Sequence, residues 1–308
     1  MIPEILILII GLFILIKTSK WVIEYAVRFS DITGLSHGTT GFLLLAVATS
    51  LPELSISIIS IFNDSSRIAA GTLFGANIID IGVVFGITAL ISGFKIIKKD
   101  FDQISHAIII TSIIAVFALV LGTMNIVFGI FCIIMFVVSI KAVLEGGREF
   151  EEKEEKNVLV SVESIKIVLL ILLMIGIIIV SAKFVSDSAI KLAETFGMGK
   201  TLIGATIVAL GTTLPELFVN ISAVKRNNFS LAIGNVIGSL VVNLTLTLGI
   251  AVAANKIIID STLKNLIIFL LIFNSILLLF AWRGRIRRIH GIFLIVLYAM
   301  IYVMLLVG

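Results

Sequence analysis

Proline, histidine and cysteine are all scarce in this chain, with three, three and one among 308 residues. The single cysteine, Cys132, forms no disulfide within the chain, and its place in the apolar run from Phe131 to Val138 makes it a packing residue. His37, His106 and His290 fall at segment ends or joins, so they read as interfacial groups rather than ligands. Charge is thin at 14%, and no paired nucleophile and base, metal-protease helix motif or phosphate-binding loop occurs. An enzyme reading therefore finds no chemistry to work with, and no cofactor is expected. The only hydrophilic stretch of any length, Glu145 to Asn157, has no room for a regulatory domain. What fills the chain is apolar: 59% hydrophobic residues and a mean hydropathy of +1.23 exceed what a soluble domain buries. The solvent of most of this surface is lipid, and the chain reads as all-α and integral to a membrane.

A spanning helix needs roughly 20 apolar residues. By that measure ten spans are expected, at about 3–29, 38–62, 67–93, 104–121, 124–143, 162–192, 200–224, 230–255, 263–282 and 288–307. The first has no small-residue cleavage signature and is read as a retained helix. Gly122-Thr123-Met124-Asn125 reads as a short turn between two spans. The sequence pI near 9.2 invites a nucleic-acid reading, but the basic residues cluster at segment ends and read as topology signals. Arg28, Lys95, Lys98, Lys99, Lys141, Arg148, Lys153, Lys156, Lys225, Arg226 and Arg283 to Arg288 fall on one side, which the positive-inside rule makes cytoplasmic. Both termini are then extracellular, in a multi-pass protein of the cell membrane.

Two of the three prolines sit in one motif that occurs twice, Thr49-Ser50-Leu51-Pro52-Glu53 and Thr212-Thr213-Leu214-Pro215-Glu216. An ungapped shift of 163 positions aligns these and also Lys20 with Lys183, Gly34 with Gly197, Gly41 with Gly204, and Gly71, Gly75 and Gly86 with Gly234, Gly238 and Gly249. The chain is read as an internal duplication: a first half at 1–144, a charged cytoplasmic linker at 145–160, and a second half at 161–308, with the most similar stretches at about 38–93 and 200–255. Five spans per half force the second copy to enter the membrane in the opposite sense. Inverted repeats of this kind are a secondary-transporter architecture, with substrate bound near the midplane between halves.

Proline cannot donate to the carbonyl four residues back, so Pro52 frees that of Ala48 and Pro215 that of Gly211. Helices 2 and 7 of this scheme are thus broken by proline, and in hydrocarbon the freed oxygens need partners. Ala46, Thr49, Ser50 and Glu53 have helical i, i+3, i+4, i+7 spacing, as do Ala209, Thr212, Thr213 and Glu216, so each break offers hydroxyls, a carbonyl and a carboxylate on one face. The next span of each half adds Asp80, one turn beyond Ala76, and Asn243, one turn beyond Ser239. The assembled donors are all oxygen, with no sulfur or imidazole, and suit a hard cation. Calcium, which accepts about 6 to 8 flexible oxygen ligands, fits better than magnesium, and sodium can use subsets.

A lone copy of the motif would read as a kinked core helix whose glutamate meets a lysine. Two symmetric copies favour function, because intramembrane carboxylates are costly. Asp80 has a second reading, an ion pair with Lys17 or Lys20 of the first span. Lys20 and Glu24 in turn read as an i, i+4 pair at a helix end.

With these motifs in place the chain resembles the cation/calcium antiporter superfamily, and most closely its prokaryotic sodium/calcium exchangers, over nearly its whole length. The resemblance implies that Glu53 and Glu216 bind calcium and share it with sodium. It implies that Thr49 and Thr212 contribute backbone oxygens, and that Ala46, Ala209, Ser50, Thr213 and Ser239 line flanking sodium sites. It also implies that the long first and sixth spans slide as a pair across the others to alternate access. The chain departs from the family pattern in three places. Ala76 stands where a serine is usual, Asp80 and Asn243 exchange the usual places of acid and amide, and Asn77 with Asp80 forms an Asn-x-x-Asp pattern reminiscent of potassium-dependent exchangers.

The expected activity is exchange of calcium for sodium by alternating access, with Glu53, Glu216, Thr49, Thr212, Asp80, Asn243, Ser50, Thr213, Ser239, Ala46 and Ala209 around the ions and Asn77 and Ala76 as further candidates. Carboxylates this crowded do not all stay ionised, so Asp80 is expected to keep its proton when calcium is bound. A proton- or potassium-coupled exchanger of the same fold is the alternative, and a cation channel is a more distant one. The expected partners are calcium, monovalent cations and the lipid bilayer, with the protein working as a monomer and binding no nucleic acid.

Overall fold

A computed structural model describes residues 2–54, 66–149, 162–195, 209–254 and 256–307. The ends of the 38–62 and 200–224 expectations and most of the charged linker lie outside the described residues. Helices run through Ile2–Thr33, His37–Thr49, 66–91, Lys98–Leu121, Ile126–Glu149, Val162–Thr195, Ala209–Thr212, Leu214–Lys225, 229–254, Ser261–Trp282 and Arg288–Val307. Six stretches among the described residues are long and apolar enough to cross a membrane: Ala69–Ile91, Lys98–Leu121, Ile126–Leu144, Val162–Ser181, Phe229–Val252 and Ser261–Trp282.

Helix Ile126–Glu149 illustrates the solvent. Val127, Ile130, Ile134 and Val137 recur at helical spacing and are all exposed, while Cys132 and Ser139 face inward. Apolar outside and mixed inside is the pattern of a helix whose outer face meets lipid. That helix also continues to Glu149, past the expected end at 143, and Lys98–Leu121 begins one and a half turns before the expected 104. Polar residues extend helices beyond the hydrocarbon, where hydropathy alone places no boundary.

The joins are set by local chemistry. Gly122 ends its helix in the left-handed region at φ 64°, with its N–H donating to the Ala118 carbonyl at 3.0 Å. Asn125 then caps the next helix through Oδ1, which accepts from the N–H groups of Val127 and Phe128 at 3.1 and 3.2 Å. Four two-residue strands add minor β pairing that periodicity gave no hint of: Phe94–Lys95 pairs antiparallel with Arg285–Ile286, and Thr123–Met124 with Ile257–Ile258. A shift of 163 carries residue 94 to 257 and residue 123 to 286, so it maps one pair onto the other to within one residue.

Packing falls into two parts. The larger core gathers Phe74, Phe85, Ile104, Ile114, Phe128, Leu240, Leu248 and Phe273 from most of the helices. A separate seam joins the two longest helices, where Leu15, Val22, Ile23 and Ala26 meet Ile167, Ile171, Ile175 and Ile178 and abut Val219 and Ala223. At its polar end Arg28 pairs with Glu163, and Glu24 pairs with Arg226 at 3.3 Å rather than with Lys20.

The inner contact that matters most is between residues 37–46 and 229–242. A Cβ on Gly238 would stand 2.5 Å from Ala46 Cβ and 2.9 Å from Phe42 Cα, and one on Gly234 would stand 3.0 Å from the Gly38 carbonyl carbon. Only glycine lets these backbones approach so closely. Gly238→Ala is expected to cost about 1 to 3 kcal/mol through overpacking against backbone. Thermal unfolding in detergent should show a lowered midpoint, whereas Gly176→Ala, whose Cβ would meet nothing within 4 Å, should leave it unchanged.

Candidate functional site

Both motif helices break at the same relative place. Ser50 adopts φ −81°, ψ 7° and Thr213 φ −87°, ψ 0°, outside the helical basin, before a new helical turn begins at Leu51 or Leu214. Pro52 and Pro215 thus sit in the first turn of the second piece, where a missing N–H leaves nothing unpaired within that piece. The turn resumes alike in both, with Leu54 N–H to the Ser50 carbonyl at 3.1 Å and Leu217 N–H to the Thr213 carbonyl at 3.0 Å. The break therefore precedes each proline by two residues and delivers Glu53 and Glu216 on the first turn of a restarted helix.

Both glutamates are fully enclosed, as are Asp80, Asn243, Asn77, Thr49, Ser50 and Ser239. Glu53, Glu216 and Asp80 lie within electrostatic reach of one another. The threonines cross between motifs, with Thr212 facing Glu53 and Thr49 facing Glu216. The hydroxyls of Ser50 and Ser239 are 3.1 Å apart, and Ser239 also donates to Glu216 Oε1 at 3.5 Å and faces Asp80. Both Glu53 carboxylate oxygens, both Asp80 carboxylate oxygens, Glu216 Oε2 and Asn243 Oδ1 are buried with no hydrogen-bond partner among the described residues. Unpaired buried acceptors in this number are costly. All of them are hard oxygen atoms, the donor set that a calcium or sodium ion takes. Among the described residues, no three acidic, histidine or cysteine side chains close around a single point. The carboxylates lie within electrostatic reach of one another, with the hydroxyls of Thr49, Thr212 and Ser239 beside them.

The remaining expected residues have plainer roles. Ala46 packs its methyl against Gly238, and its carbonyl accepts from the Ser50 N–H at 3.0 Å and the Thr49 hydroxyl at 3.4 Å. Thr213 directs its hydroxyl to the Leu210 carbonyl at 3.1 Å. Ala76 is buried. Ala209 opens the described part of its helix, and its side chain lies outside the described residues. Among the described residues Asp80 has no lysine partner: Lys17 and Lys20 are both exposed, and the Lys17 ammonium lies over the Phe13 ring, 5.6 Å from the centroid.

Two asparagines escaped the sequence reading. Asn235 Nδ2 donates to Asn220 Oδ1 at 2.9 Å, and its Oδ1 accepts from the Thr49 hydroxyl at 3.4 Å, all three residues being buried. Asn220 follows Glu216 by one helical turn, so an intramembrane amide at i+4 from a site acid was the available signal. Backbone irregularity escaped as well. One π-helical turn starts at Asp80 and another at Asn243, positions 163 apart, and a third spans Gly41–Ala46. Such turns are rare and concentrate at functional sites, where they re-aim a side chain that a regular helix would place elsewhere.

Known proteins resemble this chain over nearly its whole length. It is 32% identical over 294 residues to the uncharacterized membrane protein MJ0091 of Methanocaldococcus jannaschii, covering 94% of each chain. It is 28% identical over 342 residues to the sodium/calcium exchanger MaX1 of Methanosarcina acetivorans, covering 97% of each. The solved structure of the sodium-calcium exchanger NCX_Mj soaked with 10 mM Na+ and zero Ca2+ superimposes with a TM-score of 0.86 at 27% identity over 97% of both chains. The family profile described as "Sodium/calcium exchanger protein" matches residues 4–144 and 166–307, in two blocks that between them contain both Pro-Glu motifs. The chain belongs to the sodium/calcium exchanger family of cation/calcium antiporters.

Proposed function

We propose that this protein is a secondary active antiporter that exchanges calcium for sodium across the cell membrane by alternating access, using one site built around Glu53 and Glu216. The observation that carries the proposal is the set of unpaired carboxylate oxygens at Glu53, Glu216 and Asp80, buried together among hydroxyls. At an effective dielectric near 20, two unit charges about 4 Å apart interact by ~4 kcal/mol. Two ionised glutamates at such a spacing repel by that amount. A divalent cation at similar distance from both gains about four times as much. The site is therefore stable when loaded and unfavourable when ionised and empty, which couples passage across the membrane to ion occupancy.

The ten-span, inverted-repeat organisation belongs to the same proposal, with the first half at 1–144, the cytoplasmic linker at 145–160, the second half at 161–308 and both termini outside. Its support is the recurrence of one offset: matched breaks at Ser50 and Thr213, matched π turns at Asp80 and Asn243, and hydrogen bonds from Asn77 to Leu240 and from Asn274 to Thr111, each joining residues 163 apart. The seam between Ile2–Thr33 and Val162–Thr195 supports these two helices as the pair that slides, since they pack on each other as a cluster apart from the main core. The protein works as a monomer in this reading.

A proton-coupled exchanger of the same fold is the second reading, and the observation favouring it is Asp80, a third enclosed carboxylate with no hydrogen-bond partner among the described residues. In either reading Asp80 carries a proton while calcium is bound, so that the charge left on the two glutamates matches the ion.

Vesicles reconstituted with the protein should take up calcium when an outward sodium gradient is imposed, and not under a potassium gradient alone. Uptake driven equally well by a proton gradient would select the second reading. Glu53→Gln and Glu216→Gln should each abolish uptake, and uptake surviving in both would refute the site. Asp80→Asn should keep calcium uptake while flattening its dependence on pH, and an unchanged pH profile with unchanged calcium affinity would remove Asp80 from the mechanism.

A further inference from the structure

An asparagine near a cation can turn either its oxygen or its NH₂ toward it, and only one of these is a ligand. Around Asn243 the hydrogen bonds settle the choice. Asn77 Nδ2 lies 3.0 Å from the main-chain carbonyl of Leu240, which can only accept, so the Asn77 NH₂ must face that carbonyl. Asn77 Oδ1 is then the group facing Asn243, and as an acceptor it requires a donor. The Asn243 NH₂ supplies it at 3.1 Å. Asn243 Oδ1 is left on the other side, buried and without a partner among the described residues. Asn77 and Asn243 are 0% and 1% exposed, so no water exchange relaxes the arrangement.

We propose that Asn77 is a positioning residue: by holding the Asn243 amide through its NH₂, it makes that corner of the ion site a fixed oxygen donor. The device is not repeated at the 163 offset. The position matching Asn77 at the 163 offset is Leu240, whose side chain has no polar atom and whose backbone carbonyl is the anchor for Asn77. Asp80, which matches Asn243, needs no such orientation because both ends of a carboxylate are oxygen. The amide half of the site is thus built to present an acceptor without adding a charge. The direction of that acceptor rests on the hydrogen bond from the Asn243 NH₂ to Asn77, whose own NH₂ is held by the Leu240 carbonyl.

This inference rests on the exchange reading, and the test separates the two. Calcium uptake into proteoliposomes is measured as a function of calcium for the wild type, Asn77→Leu, Asn77→Asp, Asn243→Asp and the Asn77→Leu/Asn243→Asp double variant. Asn77→Leu should raise the apparent calcium KM on the order of 10-fold with little change in maximal rate, as loss of a residue that orients a ligand does. Asn77→Asp should stay near the wild type, since a protonated carboxyl donates to Leu240 and accepts from Asn243 as the amide does. In the Asn243→Asp background, Asn77→Leu should change KM by less than about twofold, because a carboxylate presents oxygen in either orientation. Equal factors in both backgrounds, an unaltered KM in Asn77→Leu, or equal damage from Asn77→Asp and Asn77→Leu would each overturn the role. If Asn77→Leu is not monodisperse, Asn77→Ala takes its place in the cycle. Absence of uptake by the wild type refutes the exchange reading, whereas an additive cycle with intact wild-type uptake refutes the role of Asn77 alone.

Discussion

Placing carboxylates where water does not reach constrains everything else in this molecule. A buried ion costs several kcal/mol even after relaxation, and here Glu53, Glu216 and Asp80 share one interior. Such a group persists only if something compensates it. Among the described residues the surroundings supply hydroxyls but no basic partner, and most of the carboxylate oxygens have no hydrogen bond. A cation that comes and goes is the compensation that fits, and it makes the energy of the protein depend on whether the site is filled. Exchange follows from that dependence more directly than from any catalogue of ligands.

The scaffold serves this constraint in two ways. It breaks two helices at Ser50 and Thr213 so that hydroxyls and a buried glutamate fall within one turn of each break. It then brings the backbone of 229–242 against 37–46 through Gly234 and Gly238, which puts Ser239 beside Ser50 and Asn235 beside Thr49. The glycines earn no contact energy of their own. Their contribution is the space in which polar groups from distant parts of the chain reach hydrogen-bonding distance.

The two halves are alike in backbone and unlike in side-chain chemistry. The breaks and the π turns match at one offset, but Asp80 stands against Asn243, Ala76 against Ser239 and Asn77 against Leu240. An acid with an amide, rather than two acids, lowers the charge the interior must carry. That economy has a structural requirement, because an amide has a wrong end and a carboxylate does not. The Asn77 to Asn243 contact meets it.

Much of this was legible in the residues themselves. Three prolines in 308 residues, two of them before glutamate in apolar sequence, exposed both helix breaks, because proline and intramembrane acid each carry a local cost that no packing removes. Helical spacing put Thr49, Ser50 and Glu53 on one face, and Gly122 and Asn125 announced their turn. The tertiary structure decided what spacing cannot express. It paired Glu24 with Arg226 and left Lys17 and Lys20 exposed, away from the enclosed Asp80, since partners across helices depend on distance in space. It recruited Asn220 and Asn235, which sequence order separates by 15 residues and a turn. It also set the π turns and the direction of the Asn243 amide. Period and propensity fix where a side chain leaves the helix, but which end of the Asn243 amide is left unpaired is chosen by its neighbour Asn77, which comes from the far half of the chain.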